Sequence, residues 1–224
     1  MQRPAVYWHM LPQKEQARKA IWTSVNPHTG RRRVDEAFPH DIRKRTLEHE
    51  MMIEFVNGSV WQVVGSDNFN SLVGAALGGI VYSEWALANP AARAYLRPII
   101  AESRGWQIFI TTPRGKNHAH NTFLAAQKNP DAFAERLTAL ESGVFTAQEL
   151  ERERAAYIDE FGQDMGAAMF EQEYMTSFDA AILGAIYGAE LRDAESSGRI
   201  CDVPHDPELP VHAVMDMGWS DDTA

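Results

Sequence analysis

Three short apolar runs, each closed by polar or turn-forming residues, constrain this chain more than any other feature. Residues 5–11 read AVYWHML and stop at Pro12; residues 79–83 read GIVYS and follow Gly78; residues 105–112 read GWQIFITT and stop at Pro113-Arg114-Gly115. Continuous apolar runs this short suit strands buried on both faces of a parallel sheet. Helical patterns separate them. QKEQARKAIW, at 13–22, consists of good helix formers. NPAARAYLRPIIAES, at 89–103, opens with Asn89 as a cap and Pro90 at the first helical position. Pro98 inside that helix predicts a kink or a split. Strand, helix, strand, helix in this order predicts the α/β class with a largely parallel sheet.

MMIEFVNGSVWQVV, at 51–64, holds two β-rich runs around Asn57-Gly58. Asn-Gly favours positive φ at both turn positions, which predicts a tight hairpin. From residue 119 to about 191 the pattern is helical and Ala-rich, through AERLTALESG, FTAQELERERAAYIDEFG and FEQEYMTSFDAAI. Thr146 with Glu149 forms a capping box. Residues 188–210 lose their periodicity after Arg192, collect Ser, Gly, Pro and Asp, and read as a linker. VHAVM, at 211–215, begins a fresh strand that ends at Asp216.

In open parallel sheets, ligands bind beyond the carboxyl ends of the strands. Glu84 and Thr111-Thr112 fall at the ends of two successive runs. A carboxylate in that position orients or deprotonates water attacking a phosphoryl group. Two hydroxyls at a strand end, before a tight turn, suit sensing phosphate state and relaying it. The blander readings remain open: Glu84 pairs with an arginine or caps the helix after Asn89, and TTPRG is an ordinary Pro-Gly turn. Asp216, with Gly218 and Asp221 beyond it, places carboxylates where divalent metals bind, or forms a polar turn. Two-metal nucleases need acids from separate strands, and one strand's worth is present. His118 and His120 stand at i, i+2 without a third ligand and read as a loop or helix start. His205, His212 and Cys201 show no partner pattern. The chain contains no G-x-x-x-x-G-K-S/T phosphate loop.

A net charge of −10 argues against coating DNA with the whole surface. A local basic segment survives at 30–45, where Arg31, Arg32, Arg33, Arg43, Lys44 and Arg45 face three acids. It is either a solvated loop and helix face or a patch for DNA phosphates. One cysteine excludes an internal disulfide and fits a reducing compartment. No secretory leader and no apolar stretch near ~20 residues are found, so a cytoplasmic protein with no membrane partner is expected.

The order of these motifs resembles the large subunit of tailed-phage terminases, the DNA-packaging motors. The stretches that carry it are NSLVGAALGGIVYSEWALANPAARAYLRPIIAESRGWQIFITTPRGKNH, FEQEYMTSFDAAILGAIYG and DMGWSDDTA. The resemblance implies a RecA-like, additional-strand ATPase core, a helical connector and the first strand of a ribonuclease-H-like nuclease. It divides the chain into a partial ATPase domain (1–118), its helical remainder and connector (119–192), a linker (193–210) and the start of the nuclease (211–224). Glu84 then matches the acid that activates water, and Thr111 and Thr112 match the ATPase coupling motif. Asp216 matches the first nuclease metal ligand, with Asp221 a further acid.

ATP and Mg²⁺ are the implied cofactors. Double-stranded DNA, a terminase small subunit, a portal protein and further copies in a ring are the implied partners, in a bacterial host cell. Ser83 stands where many members have aspartate, although some have serine, and Val73-Gly74 lacks the arginine many carry there. The family's Walker A loop would precede residue 5, and its other nuclease acids would follow Ala224. The chain alone is therefore expected to show little ATP turnover and no nuclease activity. A non-catalytic prophage remnant that binds DNA or a partner is the alternative expectation. A stand-alone RecA-like ATPase would call for a different C-terminal continuation.

Overall fold

The computed structural model describes residues 3–72, 76–179, 188–202, 207, 208 and 210. Strand β1 (Val6–Leu11) leads into α1 (Lys14–Ala17), which continues as a π-turn over Arg18–Trp22. After α2 (Arg33–Ala37) come β2 (Arg43–Leu47), β3 (Met52–Phe55), β4 (Val60–Gly65) and β5 (Leu77–Ser83). Helix α3 (Pro90–Glu102), β6 (Trp106–Ile110), α4 (His118–Gln127), α5 (Ala147–Phe161) and α6 (Gln163–Glu173) follow. The chain divides into two compact units, residues 1–184 and 185–224; the second holds α7 (Gly188–Ser196). No helix among the described residues is long and apolar enough to cross a membrane.

The described strands form one sheet in the order β2-β3-β4-β1-β5-β6. The β4-β1, β1-β5 and β5-β6 pairs are parallel; β2-β3 and β3-β4 are antiparallel. This is the expected α/β architecture with a mostly parallel sheet. Both faces carry core. On one, Trp8, Met10, Ile80 and Tyr82 pack under Leu96 and Ile100 of α3. On the other, Leu11, Ile53 and Val63 pack under Ala17, Trp22 and Val34.

The structure corrects the sequence reading in several places. β6 is not buried on both faces: it is the last strand of the described sheet, and Trp106, Ile108 and Ile110 are 45%, 47% and 56% exposed. Helix α3 covers its opposite side through Phe109. The hairpin turn has one left-handed residue, Gly58 at φ 82°, not two. Gly58 N–H donates to Phe55 O at 3.0 Å and Phe55 N–H to Ser59 O at 2.9 Å, closing a three-residue loop with a glycine bulge. Asn57 instead accepts from Ser59 N–H at 2.9 Å, a local bond that replaces the second left-handed position. Pro98 neither splits nor ends α3. Pro98 and Ala94, whose carbonyl loses its donor, are both exposed, so the missing bond falls on the solvent side of the helix.

Residues 134–143 are not helical. Leu137 and Leu140 are exposed, so no apolar face rewards a helix, and Ala139 N–H is taken by Tyr174 O at 2.8 Å. Helix α6 ends at Glu173, before Thr176 at φ 53°, and α7 occupies the first part of the stretch read as linker. Within residues 31–45 a short helix and a strand stand where a loop and helix face were expected. The remaining helical reading at 180–187, Val73-Gly74, His205 and the strand at 211–215 lie outside the described residues.

Helices α5 and α6 meet backbone to backbone. The capping box opens α5 as expected, and a Cβ built on Gly166 would lie 2.2 Å from Tyr157 O. Gly166→Ala is therefore expected to push the two helices apart and cost about 1–3 kcal/mol. Urea unfolding checks this; an unchanged midpoint would mean the helices separate freely.

Candidate functional site

Because β4, β1, β5 and β6 are parallel, their carboxyl ends share one edge of the sheet. Pro12, Ser66, Glu84 and Thr111 are the first residues beyond these ends. Their loops are stitched together. Ser66 Oγ donates to Pro12 O at 3.0 Å and accepts from Asn89 N–H at 3.0 Å. Asn89 in turn caps α3 by accepting from Ala91 N–H at 3.0 Å, so the helix has its own cap and does not use Glu84.

Glu84 sits at φ 53°, ψ 43°, the left-handed region, between β5 and a 3₁₀ turn over Trp85–Leu87. A non-glycine residue held there costs about 1–3 kcal/mol and persists only where surroundings enforce it. The enforcement is visible. Leu87 N–H donates to Glu84 O at 2.9 Å. Ala86 N–H donates to Thr111 Oγ1 at 3.0 Å, and Asn117 Nδ2 donates to Ala86 O at 2.9 Å. His118 Nε2 donates to Trp85 O at 2.6 Å; a carbonyl only accepts, so this nitrogen carries the proton. Trp85 is 2% exposed and its indole N–H donates to Thr122 Oγ1 at 3.0 Å. The half-buried Glu84 carboxylate has no hydrogen bond or ion pair among the described residues.

Thr111 Oγ1 also donates to Thr112 O at 2.9 Å. One hydroxyl thus ties the end of β6 to the turn after Glu84. Beyond it, Arg114 pairs with Glu173 of α6, and Lys116 with Asp179 at 2.9 Å. Glu84, Thr111 and Thr112 are therefore brought to one edge. The acid's backbone strain and the threonine bridge were not legible in sequence, where neither glycine nor asparagine marks position 84.

Ser83 is engaged from the neighbouring strand: His9 Nε2 lies 2.7 Å from Ser83 Oγ. Burial holds the His9 imidazole below its ordinary 6.5. The unfolded chain therefore takes up the proton first. The stability that neutral His9 contributes is complete above pH 6.5 and is lost as pH falls below it. His9→Gln is expected to flatten the fall in stability from about pH 6.5 to 5, read by urea unfolding at each pH. A variant curve parallel to the parent's would remove His9 as the cause.

The basic segment lies at the other end of the sheet, near β2. Arg32 donates to Trp22 O at 3.1 Å, pairs with Glu48 at 3.2 Å and covers the Trp22 ring at 5.5 Å. Arg43 is buried against Asp35 at 2.7 Å, and Arg45 pairs with Glu54 at 2.5 Å. Arg31, Arg33 and Lys44 are exposed. His120 packs on Phe178 at 4.7 Å. Among the described residues no group of three metal-ligating side chains is present. Asp216, Asp221 and His212 lie outside the described residues.

The fold around this edge, a mostly parallel sheet with helices on its faces, is similar to that of large terminase ATPase domains. The chain is similar to the ATPase domain of the Thermus phage P74-26 large terminase, with TM-score 0.57 and 18% identity over 79% of this chain and 78% of that one. It is also similar to the large terminase of a second thermophilic bacteriophage in complex with ADP, with TM-score 0.55 and 12% identity over 79% of this chain and 41% of that one. That second terminase in complex with ATP-gamma-S gives TM-score 0.55 at 12% identity. No protein-family model and no curated protein matches the chain. At these identities the likeness is one of fold, and in fold it agrees with the resemblance carried by the motifs.

Proposed function

We propose that this chain is the hydrolytic part of a phage DNA-packaging ATPase. The observation that carries the reading is Glu84, held left-handed and without a partner among the described residues, at the shared carboxyl edge of the parallel strands. An acid so placed orients the water that attacks the γ-phosphate of ATP and accepts its proton. Thr111 and Thr112 respond to the nucleotide at the next strand end. Thr111 passes the change to the turn after Glu84 through Ala86 and, through the Arg114–Glu173 pair, to α6.

The described residues do not by themselves make a magnesium site. Ser83 brings no charge and its hydroxyl is bonded to His9, and the other acid at this edge, Asp67 beyond β4, accepts from Lys14 N–H at 3.4 Å, which leaves Glu84 as the carboxylate at the end of β5. No step is assigned to the ion. Asp216 and Asp221 belong, in this reading, to a nuclease that cuts the packaged DNA. Arg31 and Arg33 offer exposed charge to its backbone. A small subunit, a portal and further copies of the chain complete the motor.

The test is ATP hydrolysis by the chain with a phosphate-loop segment, G-x-x-x-x-G-K-S/T, joined ahead of β1. Glu84→Gln is expected to lower turnover by about 10²–10⁴-fold with nucleotide binding kept. Turnover that survives the substitution would overturn the reading. So would a chimera that binds ATP and, with Glu84 intact, does not hydrolyse it.

A further inference from the structure

Helices α3 and α4 leave between their N-terminal halves an open cavity of about 310 Å³, walled by Trp85, Arg93, Arg97, His118, Asn121 and Thr122. Its charge is one-sided. Helix α3 carries no acid before Glu102, and α4 carries none. No carboxylate pairs with Arg93 or Arg97 among the described residues, in a chain whose net charge is −10. Arg93 is half-buried, its guanidinium 4.7 Å from the Phe109 ring centroid and its Nη1 donating to Thr122 Oγ1 at 3.1 Å. Its Nε is buried with no hydrogen-bond partner.

The neighbouring Tyr82 phenol cannot act as a counter-ion, because burial pushes its ionisation far up and keeps it neutral. Burial, with the like charge of Arg97 one turn away, pulls Arg93 down from its ordinary value. Thr122 Oγ1 is already used by Trp85, Arg93 and His118 O, and His118 Nε2 by Trp85 O. Among the charged groups lining the cavity are two guanidinium groups, both donors only, and the Asn121 amide adds a donor beside its acceptor oxygen. A half-buried cation without an acid, beside a second cation at i+4, is unfavourable until an anion enters.

We propose that this cavity is a binding site for a phosphate-type oxyanion, with Arg93 and Arg97 as its two forks. Guanidinium groups match phosphate oxygens with paired hydrogen bonds, and Arg93 is held in place by the Phe109 ring and Thr122 before any ligand arrives. The phosphate belongs either to a free nucleotide or to a DNA backbone. The site does not depend on hydrolysis at Glu84.

The experiment titrates the 224-residue chain with inorganic phosphate at ionic strength matched by chloride. It follows the thermal midpoint and the Trp85 indole N–H resonance. Phosphate is expected to raise the midpoint beyond chloride and to shift that resonance. Arg97→Gln, at an exposed helical position, is expected to weaken the phosphate response about tenfold and to leave the ligand-free midpoint level or slightly raised, since it removes the like charge beside Arg93. Arg97→Lys is expected to restore part of it. Equal responses to phosphate and chloride, or an Arg97→Gln chain that responds like its parent, would overturn the site. Parallel titrations with ADP and with a short DNA duplex separate the two sources: the tighter ligand at unchanged Arg97 dependence names the phosphate it takes. If neither ligand depends on Arg97, the site is overturned as well.

Discussion

Glu84→Asn is expected to leave the chain more stable and the proposed hydrolytic edge inert. Asparagine tolerates the left-handed region better than glutamate does, since its short side chain bonds to its own backbone there. The backbone at φ 53° is held by bonds to Leu87, Ala86 and Trp85 that do not involve the Glu84 carboxylate. Relief of the local strain is expected to add about 0.5–1 kcal/mol to the unfolding free energy. Turnover in the phosphate-loop chimera falls by the same 10²–10⁴-fold or so as in Glu84→Gln. The two variants separate the effects. Glutamine keeps the strain and loses the acid; asparagine loses both. Urea unfolding and ATP turnover on each give four numbers. An asparagine variant less stable than its parent would mean that the glutamate side chain, not the clamped turn, sets the backbone.

Trp22→Ala is expected to destabilise the protein by about 3–5 kcal/mol, a large part of the 5–15 or so that a domain usually has. The Trp22 side chain is fully buried where the π-turn meets the sheet. It stacks on Trp61 at 6.1 Å, donates to Glu48 Oε2 at 2.7 Å and lies under the Arg32 guanidinium at 5.5 Å. Alanine would open a cavity beneath α2 and strip Glu48 of its indole donor. Trp22→Phe keeps most of the packing and is expected to lose about 1–2 kcal/mol. The same geometry bears on the proposed contact with DNA. Arg32 reaches a phosphate only by leaving Glu48 and the Trp22 ring, whereas Arg31 and Arg33 need leave nothing so buried. Urea unfolding decides the stability claim; a loss below about 1 kcal/mol for alanine would mean that the π-turn repacks without its anchor.

What could be read from the sequence was local chemistry. The caps at Asn89 and Thr146, the apolar runs and the Asn57-Gly58 turn announce themselves within a few residues. The acid at 84 and the threonines at 111 and 112 follow from where those runs stop. What could not be read depends on distant partners. RKRTL at 43–47 has no strand pattern, and it becomes β2 only by pairing with β3 at the sheet edge. The His9–Ser83 bond joins residues on neighbouring strands, and the Thr111–Ala86 bond joins a strand end to a separate turn. Residues 134–143 have good helix formers and no face to bury, so composition misleads there. Nothing in the sequence singles out Arg93, and only the packing of Phe109 and Thr122 around it reveals a half-buried cation.

The loop from Thr111 to His118 is pinned in three places: to Ala86 by Thr111, to α6 by Arg114, and again to Ala86 by Asn117 at the start of α4. A displacement of the turn after Glu84 would therefore pull on Thr111 and Asn117 directly. In the proposed packaging ATPase it is expected to reach the first turn of α4 and α6 through these contacts, so the segment would act as a crank rather than as a tether.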